Sequence, residues 1–373
     1  MANRTSFPET ELRRIARQLA LPGFGLEQQQ RLADAHVLVI GAGGLGCPAM
    51  QQLAAVGVGH ITVIDDDTVD LSNIHRQILF GVEDQGRPKV EVAAGRLRHL
   101  QPGITVTALR RRMTTQNAVE LVKGADLVLD GSDTFATKYL VADAAEVTGT
   151  PLIWGTVLRY RGEVALWWSG PGAPEPGVGL RDLFPDQPPA DSVPDCATAG
   201  VLGVTTSVVA GLMTTEAVKH LAGIGESVPG RLLSYEALSA RLRPFSVSRD
   251  PGREPETALR ADYVPATRSA PAPDAPVPPQ LELLKTGEAT ALDVREEHEK
   301  WVSDLPGVTP GLHLPLSQAS PERFDEVLAN RSGTVVVYCA SGSRSRDFLG
   351  QYRDQALRSN IELIDLPGGL NGL

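Results

Sequence analysis

Two groups of residues in this chain combine types and spacing that can do chemistry. The first is the run GAGGLG, with Gly41, Gly43, Gly44 and Gly46, followed by Asp65 and then by Asn73, Arg76, Gln77 and Lys89. Glycines let a backbone approach phosphate oxygens closely, and a helix opening on them offers amides that lack an intrahelical partner. Asp65 ends the next apolar run and is placed to accept hydrogen bonds from ribose hydroxyls. Arg76 and Lys89 are cations suited to a triphosphate, which Asn73 and Gln77 can orient, whereas a dinucleotide has little need of two cations. The glycine pattern by itself would serve a nicotinamide or flavin dinucleotide, so a nicotinamide-dependent oxidoreductase is the rival reading. No histidine–aspartate pair suited to hydride chemistry is legible beside it.

The second group is Cys339 in TVVVYCASGSRSRDF, directly after an apolar run and followed by Ala340 to Arg344. Successive amides in such a turn form an anion nest, and the helix after it adds its dipole, so the turn favours a thiolate. A plain strand-end cysteine would not need Ser341, Gly342, Ser343 and Arg344 around it. Cys47, behind the glycine turn, reads as small core filler. The seven histidines show no ligand spacing for a metal.

Elements must hold these groups. His36 to Ile40 is an apolar strand before the glycine turn, a helix runs from Pro48 to Val56, and Ile61 to Ile64 is a second buried strand. Further helices are expected at 89–100 and 139–147, with strands near 104–109, 127–129 and 152–154. That alternation predicts an α/β fold: a Rossmann-like, doubly wound, mostly parallel sheet. Strands at 163–168, 231–235 and 242–247 around a long helix at 201–220 predict an antiparallel extension. The loop 170–199 is long enough to be functional or mobile. The stretch SAPAPDAPVPP marks an extended linker over 251–277. It separates a first domain, 1–250, from a small α/β domain, 278–373.

Composition removes several classes. The net charge of −10 argues against nucleic acid as a partner, since that needs a clustered basic surface. The apolar run from Val201 to Val218 is interrupted by threonine, serine and glycine, and the N-terminus has no apolar signal core. No membrane association and a cytoplasmic location are expected. Three scattered cysteines, Cys47, Cys196 and Cys339, rule out a disulfide framework and a four-cysteine zinc site.

In order along the chain, GAGGLG, DxDxVxxSNxxRQ at 65–77, GxPKV at 86–90, LVLDGSD at 127–133 and DCATAGVLG at 195–203 resemble the ubiquitin-activating-type adenylyltransferases of the MoeB and ThiF kind. These bacterial enzymes activate small ubiquitin-like sulfur carrier proteins. The resemblance assigns Gly44 and its neighbours to the phosphates, Asp65 to the ribose, and Asn73, Arg76 and Lys89 to the triphosphate of ATP. It makes Asp133 the magnesium-binding aspartate and Arg17 the arginine that reaches the partner's site across a homodimer. Cys196 occupies the place of a family cysteine that forms a covalent link to the carrier in some members; an inert, partly buried thiol is the equal alternative. LDVREEHEK at 292–300 together with the Cys339 turn resembles the rhodanese family from about residue 278 onward. By that resemblance Cys339 carries a persulfide, Arg344 orients the loop and Asp293 is a scaffold carboxylate.

Three departures stand out. Where the family carries two CxxC pairs for zinc, this chain reads GVGLRDLFP at 177–185 and SRDPGREP at 248–255, so no structural zinc is expected and packing or the dimer must replace it. Thr134 stands where asparagine commonly follows the magnesium aspartate. The rhodanese family usually continues beyond GGLNGL into a terminal helix.

The two resemblances together imply one two-step reaction. MgATP converts the C-terminal glycine carboxylate of a Gly-Gly-ending carrier into an acyl adenylate, and persulfide sulfur on Cys339, drawn from a persulfide or thiosulfate donor, then gives the carrier thiocarboxylate. A linker of about 30 residues has a root-mean-square reach of roughly 30 Å, enough to bring Cys339 to the first site. The remaining alternative, a non-catalytic carrier-binding scaffold, would need a dead nucleotide site, whereas Arg76, Lys89 and Asp133 are all present.

Overall fold

The computed structural model describes residues 7–188, 199–261, 263, 278–308 and 311–373. The chain divides into two compact units, 1–266 and 267–373.

In the first unit, β1 (His36–Ile40) is buried on both faces, which is why it reads as an unbroken apolar run. Val37 and Val39 enter one core, and Leu38 and Ile40 the other. It pairs in parallel with β2 (His60–Ile64) and β4 (Leu127–Asp130), and β2 pairs with β3 (Thr105–Leu109). On the far side come β5 (Leu152–Leu158), β6 (Arg161–Trp167), β7 (Arg231–Glu236) and β8 (Arg241–Ser246), in the sheet order β3-β2-β1-β4-β5-β6-β7-β8. The first five strands in that order are parallel and the last three run antiparallel. Helices α1 (Glu9–Leu19) and α2 (Leu26–Asp34) precede β1. Helices α3 (Gly46–Val56), α4 (Lys89–Leu100) and the long α7 (Gly203–Ala222) cover one face of the sheet. The other face is covered by α5 (Ala118–Lys123) and α6 (Phe135–Thr148).

The structure differs from the sequence expectation in three places. Strand β5 continues to Leu158 rather than ending near Trp154, because Gly155 interrupts the apolar run without breaking the strand. A Cβ there would run into the Met213 side chain of α7, which would have to move to make room. The loop after β6 is not free over 170–188. The Trp168 and Val178 backbones exchange two hydrogen bonds, at 2.8 and 2.9 Å, and Val178, Leu180 and Arg181 are buried. The start of the expected linker is anchored as well: Arg253 pairs with Glu146 and Asp182, and Tyr263 Oη donates to Asp143 Oδ2 at 2.6 Å.

The second unit is a four-stranded parallel sheet in the order β10-β9-β11-β12, built from β9 (Ala289–Asp293), β10 (Leu312–His313), β11 (Gly333–Tyr338) and β12 (Ile361–Asp365). Its helices are α8 (Pro279–Thr286), α9 (Glu297–Val302), α10 (Pro321–Val327) and α11 (Ser343–Arg358). Val335 and Val337 pack with Phe324, Phe348 and Tyr352 on one face, while Val336 and Tyr338 pack with Leu281 and Leu366 on the other. Among the described residues no helix is long and apolar enough to cross a membrane.

Candidate active site

The chain turns sharply at Gly41, whose φ of +87° is a left-handed conformation that disfavours any side chain. The Gly41 amide donates to Ile64 O at 2.9 Å, and the next amide, Ala42, donates to Asp65 Oδ2 at 2.7 Å. The second oxygen of Asp65 accepts the Asp67 amide at 2.8 Å. Burial pushes the Asp65 pKa up, against the opposing pull of Lys89 and these two amides. Close approach requires the later glycines too. A Cβ on Gly46 would lie 1.9 Å from Gly41 O, and one on Gly44 would sit 3.2 Å from Thr206 Cγ2 and 3.4 Å from the Arg76 side chain. The glycine turn is thus walled by Arg76 on one side and the first turn of α7 on the other.

Arg76 is held by Asn73, whose Oδ1 accepts from Nη2 at 2.7 Å, and by the Ser72 carbonyl at 3.0 Å. Gln77 is buried, and its Oε1 has no hydrogen-bond partner among the described residues. Lys89 opens α4 with its stem buried and its Nζ 3.0 Å from Asp67 Oδ2. Gly131, after β4, donates its amide to Ile40 O at 2.9 Å and sits so close that a Cβ on Gly41 would meet Gly131 O at 3.2 Å. Asp133, two residues on, is exposed and has no side-chain partner among the described residues. Gly41, Gly43, Gly44, Gly46, Asp65, Asn73, Arg76, Lys89 and the Asp133 loop therefore come together at the C-terminal ends of β1, β2 and β4. A triphosphate fits this place: the backbone is open and two cations, Arg76 and Lys89, flank the turn.

Other expected residues fall elsewhere. Arg17 lies exposed on α1, which docks on the far end of α3 through Gln18 Nε2 to Val56 O at 3.0 Å and through Arg14 to Ala55 O. An 11-residue helix is about 16 Å long, so Arg17 is remote from its own chain's glycine turn. Cys196 lies outside the described residues. Cys47 is fully buried, donates to Ala42 O at 3.2 Å and has its thiol pKa pushed up by burial, as core filler should. The contribution of Gly203 and Thr206 escaped sequence reading. Gly203 closes the DCATAGVLG motif, but the sequence does not say why: a Cβ there would run into the His75 carbonyl, so this glycine admits α7 to the cradle.

In the second unit Cys339 follows β11 and is fully buried. Its Sγ accepts the Gly342 amide at 3.1 Å and lies 3.6 Å from Ser345 Oγ, which donates to Asp365 Oδ1 at 2.6 Å. The amides of Ala340 and Ser341 find no acceptor among the described residues. Gly342, at φ +83°, turns the loop into α11. Behind it Leu370 donates to Cys339 O at 3.0 Å, and a Cβ on Gly369 would meet that same oxygen at 2.3 Å, so the final turn braces the cysteine from below. Arg344 points to α9, where both its Nη atoms reach Glu299, at 2.7 and 2.6 Å. That carboxylate raises the Arg344 pKa above its ordinary value. Asp293 is buried in a pair with Arg295 at 2.7 Å.

The sheet order, the glycine turn and the acid at the end of β2 define a doubly wound α/β nucleotide-binding protein. The chain belongs to the ThiF family, whose sequence profile matches residues 15–255. It is similar to a Mycobacterium tuberculosis protein named probable adenylyltransferase/sulfurtransferase MoeZ, with 40% identity over 371 residues covering 96% of this chain and 92% of that one. It is also similar to the sulfur carrier protein adenylyltransferase of Thermus thermophilus, 46% identical over 258 residues, which is 68% of this chain and 95% of that protein. The crystal structure of Escherichia coli MccB shares the fold, with a TM-score of 0.57 at 18% identity over 66% of this chain and 73% of that one.

Proposed function

We propose that this protein uses MgATP to adenylate the C-terminal glycine of a ubiquitin-like sulfur carrier protein and then transfers sulfur from a Cys339 persulfide to give the carrier thiocarboxylate. The observation that carries the reading is the presence of both centres in one chain: the cation-flanked glycine cradle and the Cys339 turn with its free amides. The similarity over nearly the whole chain to a protein named for both activities supports it.

In this reading the amides of the glycine turn hold phosphate, and Asp65 exchanges its Ala42 contact for ribose hydroxyls. Arg76 and Lys89 offset the repulsion between the incoming carboxylate and ATP and stabilise the departing pyrophosphate. Magnesium would supply further charge neutralisation, and Asp133, exposed and without a side-chain partner among the described residues, is the residue that would hold it. Arg17, remote from its own site, serves the partner's site in a homodimer. No structural zinc is needed, since Arg253 already joins the two segments concerned. The terminal persulfide sulfur attacks the acyl adenylate, AMP leaves, and a second thiol opens the resulting acyl disulfide, ending in a disulfide with Cys339. Cys196 is a candidate for that thiol, and the alternative is a thiol from solution. The sulfur donor is a persulfide or thiosulfate, and the protein works in the cytoplasm.

The test is ATP–pyrophosphate exchange with and without a Gly-Gly-ending carrier, followed by intact-mass measurement of the carrier. Exchange only with carrier, and a product heavier by the difference between sulfur and oxygen, are expected. Reduction of a nicotinamide cofactor with no exchange would favour the oxidoreductase instead.

A further inference from the structure

The turn that carries Asp133 is fixed from below by a pair that the mechanism does not use. Asp130, the last residue of β4, is fully buried, and its Oδ1 accepts both the amide of Ser132, at 2.9 Å, and its hydroxyl, at 2.6 Å. Its other oxygen faces Lys138 Nζ at 3.4 Å. Lys138 is 4% exposed, donates to Gly155 O on β5 at 2.6 Å, and holds its ammonium 5.5 Å from the centre of the Trp154 ring. On the other side of Asp133, the Thr134 hydroxyl caps α6 by accepting the Thr137 amide at 3.3 Å. Asp133 is therefore the one carboxylate of a turn whose two flanking residues are both tied down.

We infer that Asp130 and Lys138 are positioning residues for Asp133, acting through Ser132 to set the aim of its carboxylate at a divalent cation bound with ATP. This rests on the proposed magnesium role of Asp133. A buried ion pair brings little net stability over an apolar pair of the same shape. What this pair supplies is direction: Lys138 is anchored to β5, Asp130 ends β4, and Asp130 Oδ1 holds both the amide and the hydroxyl of Ser132. Outer residues of this kind change metal affinity by about ten- to a hundredfold when removed.

Manganese is the probe, with a non-hydrolysable ATP analogue and the full chain; free Mn2+ is read by electron paramagnetic resonance and analogue binding without metal by calorimetry. Lys138→Met should weaken Mn2+ binding in the analogue complex about tenfold and leave metal-free analogue binding within about twofold, and Lys138→Arg should restore most of the loss. Ser132→Ala, which leaves the buried pair untouched, should show a smaller loss in the same direction. Unchanged Mn2+ affinity in folded Lys138→Met, or in Ser132→Ala should Lys138→Met not fold, overturns the inference. So does equal loss of metal-free analogue binding, which would mark a merely structural role. If Asp133→Ala binds Mn2+ as tightly as wild type, the underlying reading of Asp133 fails and the inference with it. Loss in Asp133→Ala but not in Lys138→Met or Ser132→Ala sinks the positioning role alone.

Discussion

Arg253 donates from Nε and Nη2 to the two carboxylate oxygens of Asp182, each at 2.9 Å. The same guanidinium reaches both oxygens of Glu146, at 2.9 and 2.8 Å, and the Asp250 amide adds a bond to Asp182 at 3.1 Å. These contacts fasten 177–185 to 248–255, the two segments where the family resemblance would place zinc-binding cysteines. A three-residue ion cluster thus ties these segments together.

Breaking that cluster should destabilise the first unit. Asp182 and Glu146 are almost fully buried, so Arg253→Met strands two carboxylates, at a cost of about 3 kcal/mol. Burial pushes both acids up most strongly, but the bonds and charge of Arg253, joined by Ser169 and the Glu256 amide at Glu146 and by the Gly179 and Asp250 amides at Asp182, together outweigh it and hold both below the usual carboxylate range. Their folded pKa values are depressed, so the stability they contribute is complete above the unfolded value of about 4 and is lost as pH falls through the folded values. Thermal melts of wild type and Arg253→Met should differ by several degrees at pH 7 and converge in acid, where protonation relieves the stranded carboxylates of the variant. Elemental analysis should find no stoichiometric zinc.

Asp133 and Arg17 make a complementation test. Asp133 is exposed and has no side-chain partner among the described residues, so Asp133→Ala should keep its melting temperature, within about 0.5 kcal/mol of stability, and lose at least about a hundredfold in pyrophosphate exchange. Arg17→Ala should also be inactive. Mixing the two inactive variants under conditions that allow subunit exchange should restore activity, because one site of each mixed dimer combines its own Asp133 with the partner's arginine. Sedimentation should show a dimer. No recovery from a verified mixed dimer would place Arg17 outside the neighbouring site.

The parts of this site that were legible in the sequence are those with a local cause. A strand buried on both faces has to be apolar throughout, a turn that touches phosphate has to be glycine, and Asp65, Arg76 and Lys89 follow within a short stretch. What escaped depends on pairings between distant segments. Lys138 in a helix reads as a surface charge until β5 is seen to supply Gly155 O, and Glu299 reads as one acid among several until Arg344 closes on it. Gly203 closes a family motif and Gly155 carries no mark in the sequence, and only the packed α7 shows what each lies against.

Two histidines meet where the inner strands β1 and β2 begin. His36 and His60 pair across β1 and β2 with their rings stacked, 3.8 Å between centroids. Burial first, and the facing His36 second, lower the His60 pKa below its ordinary value. Above an unfolded value of about 6.5 the contribution is complete; as pH falls through the folded pKa the unfolded chain binds a proton that the folded one resists, and stability declines. His60→Gln should flatten the slope of melting temperature against pH between about 7 and 5.5. Equal slopes in both proteins would mean that His60 protonates freely in the fold.

Cys339→Ser should separate the two half-reactions. Serine cannot carry a sulfane sulfur, and the cradle proposed for ATP is built wholly from the other unit, so carrier adenylation should continue while thiocarboxylate formation stops. Arg344→Ala should slow the second step less, because the amides of Ala340 and Ser341 remain to meet the thiolate and its sulfur. The bidentate contact makes Glu299→Ala an equivalent lesion: without its partner, Arg344 loses the anchor that fixes the start of α11. The double variant should then be no worse than either single one, the signature of two residues acting as one unit. Cys196→Ala decides between the two roles of that thiol, since little change favours an inert cysteine and a block after adenylation favours a covalent step. Carrier mass, followed with a persulfide donor and no free sulfide, reads every outcome. If the heavier carrier forms at the wild-type rate with Cys339→Ser, the sulfur does not pass through Cys339, and the second unit serves some other purpose.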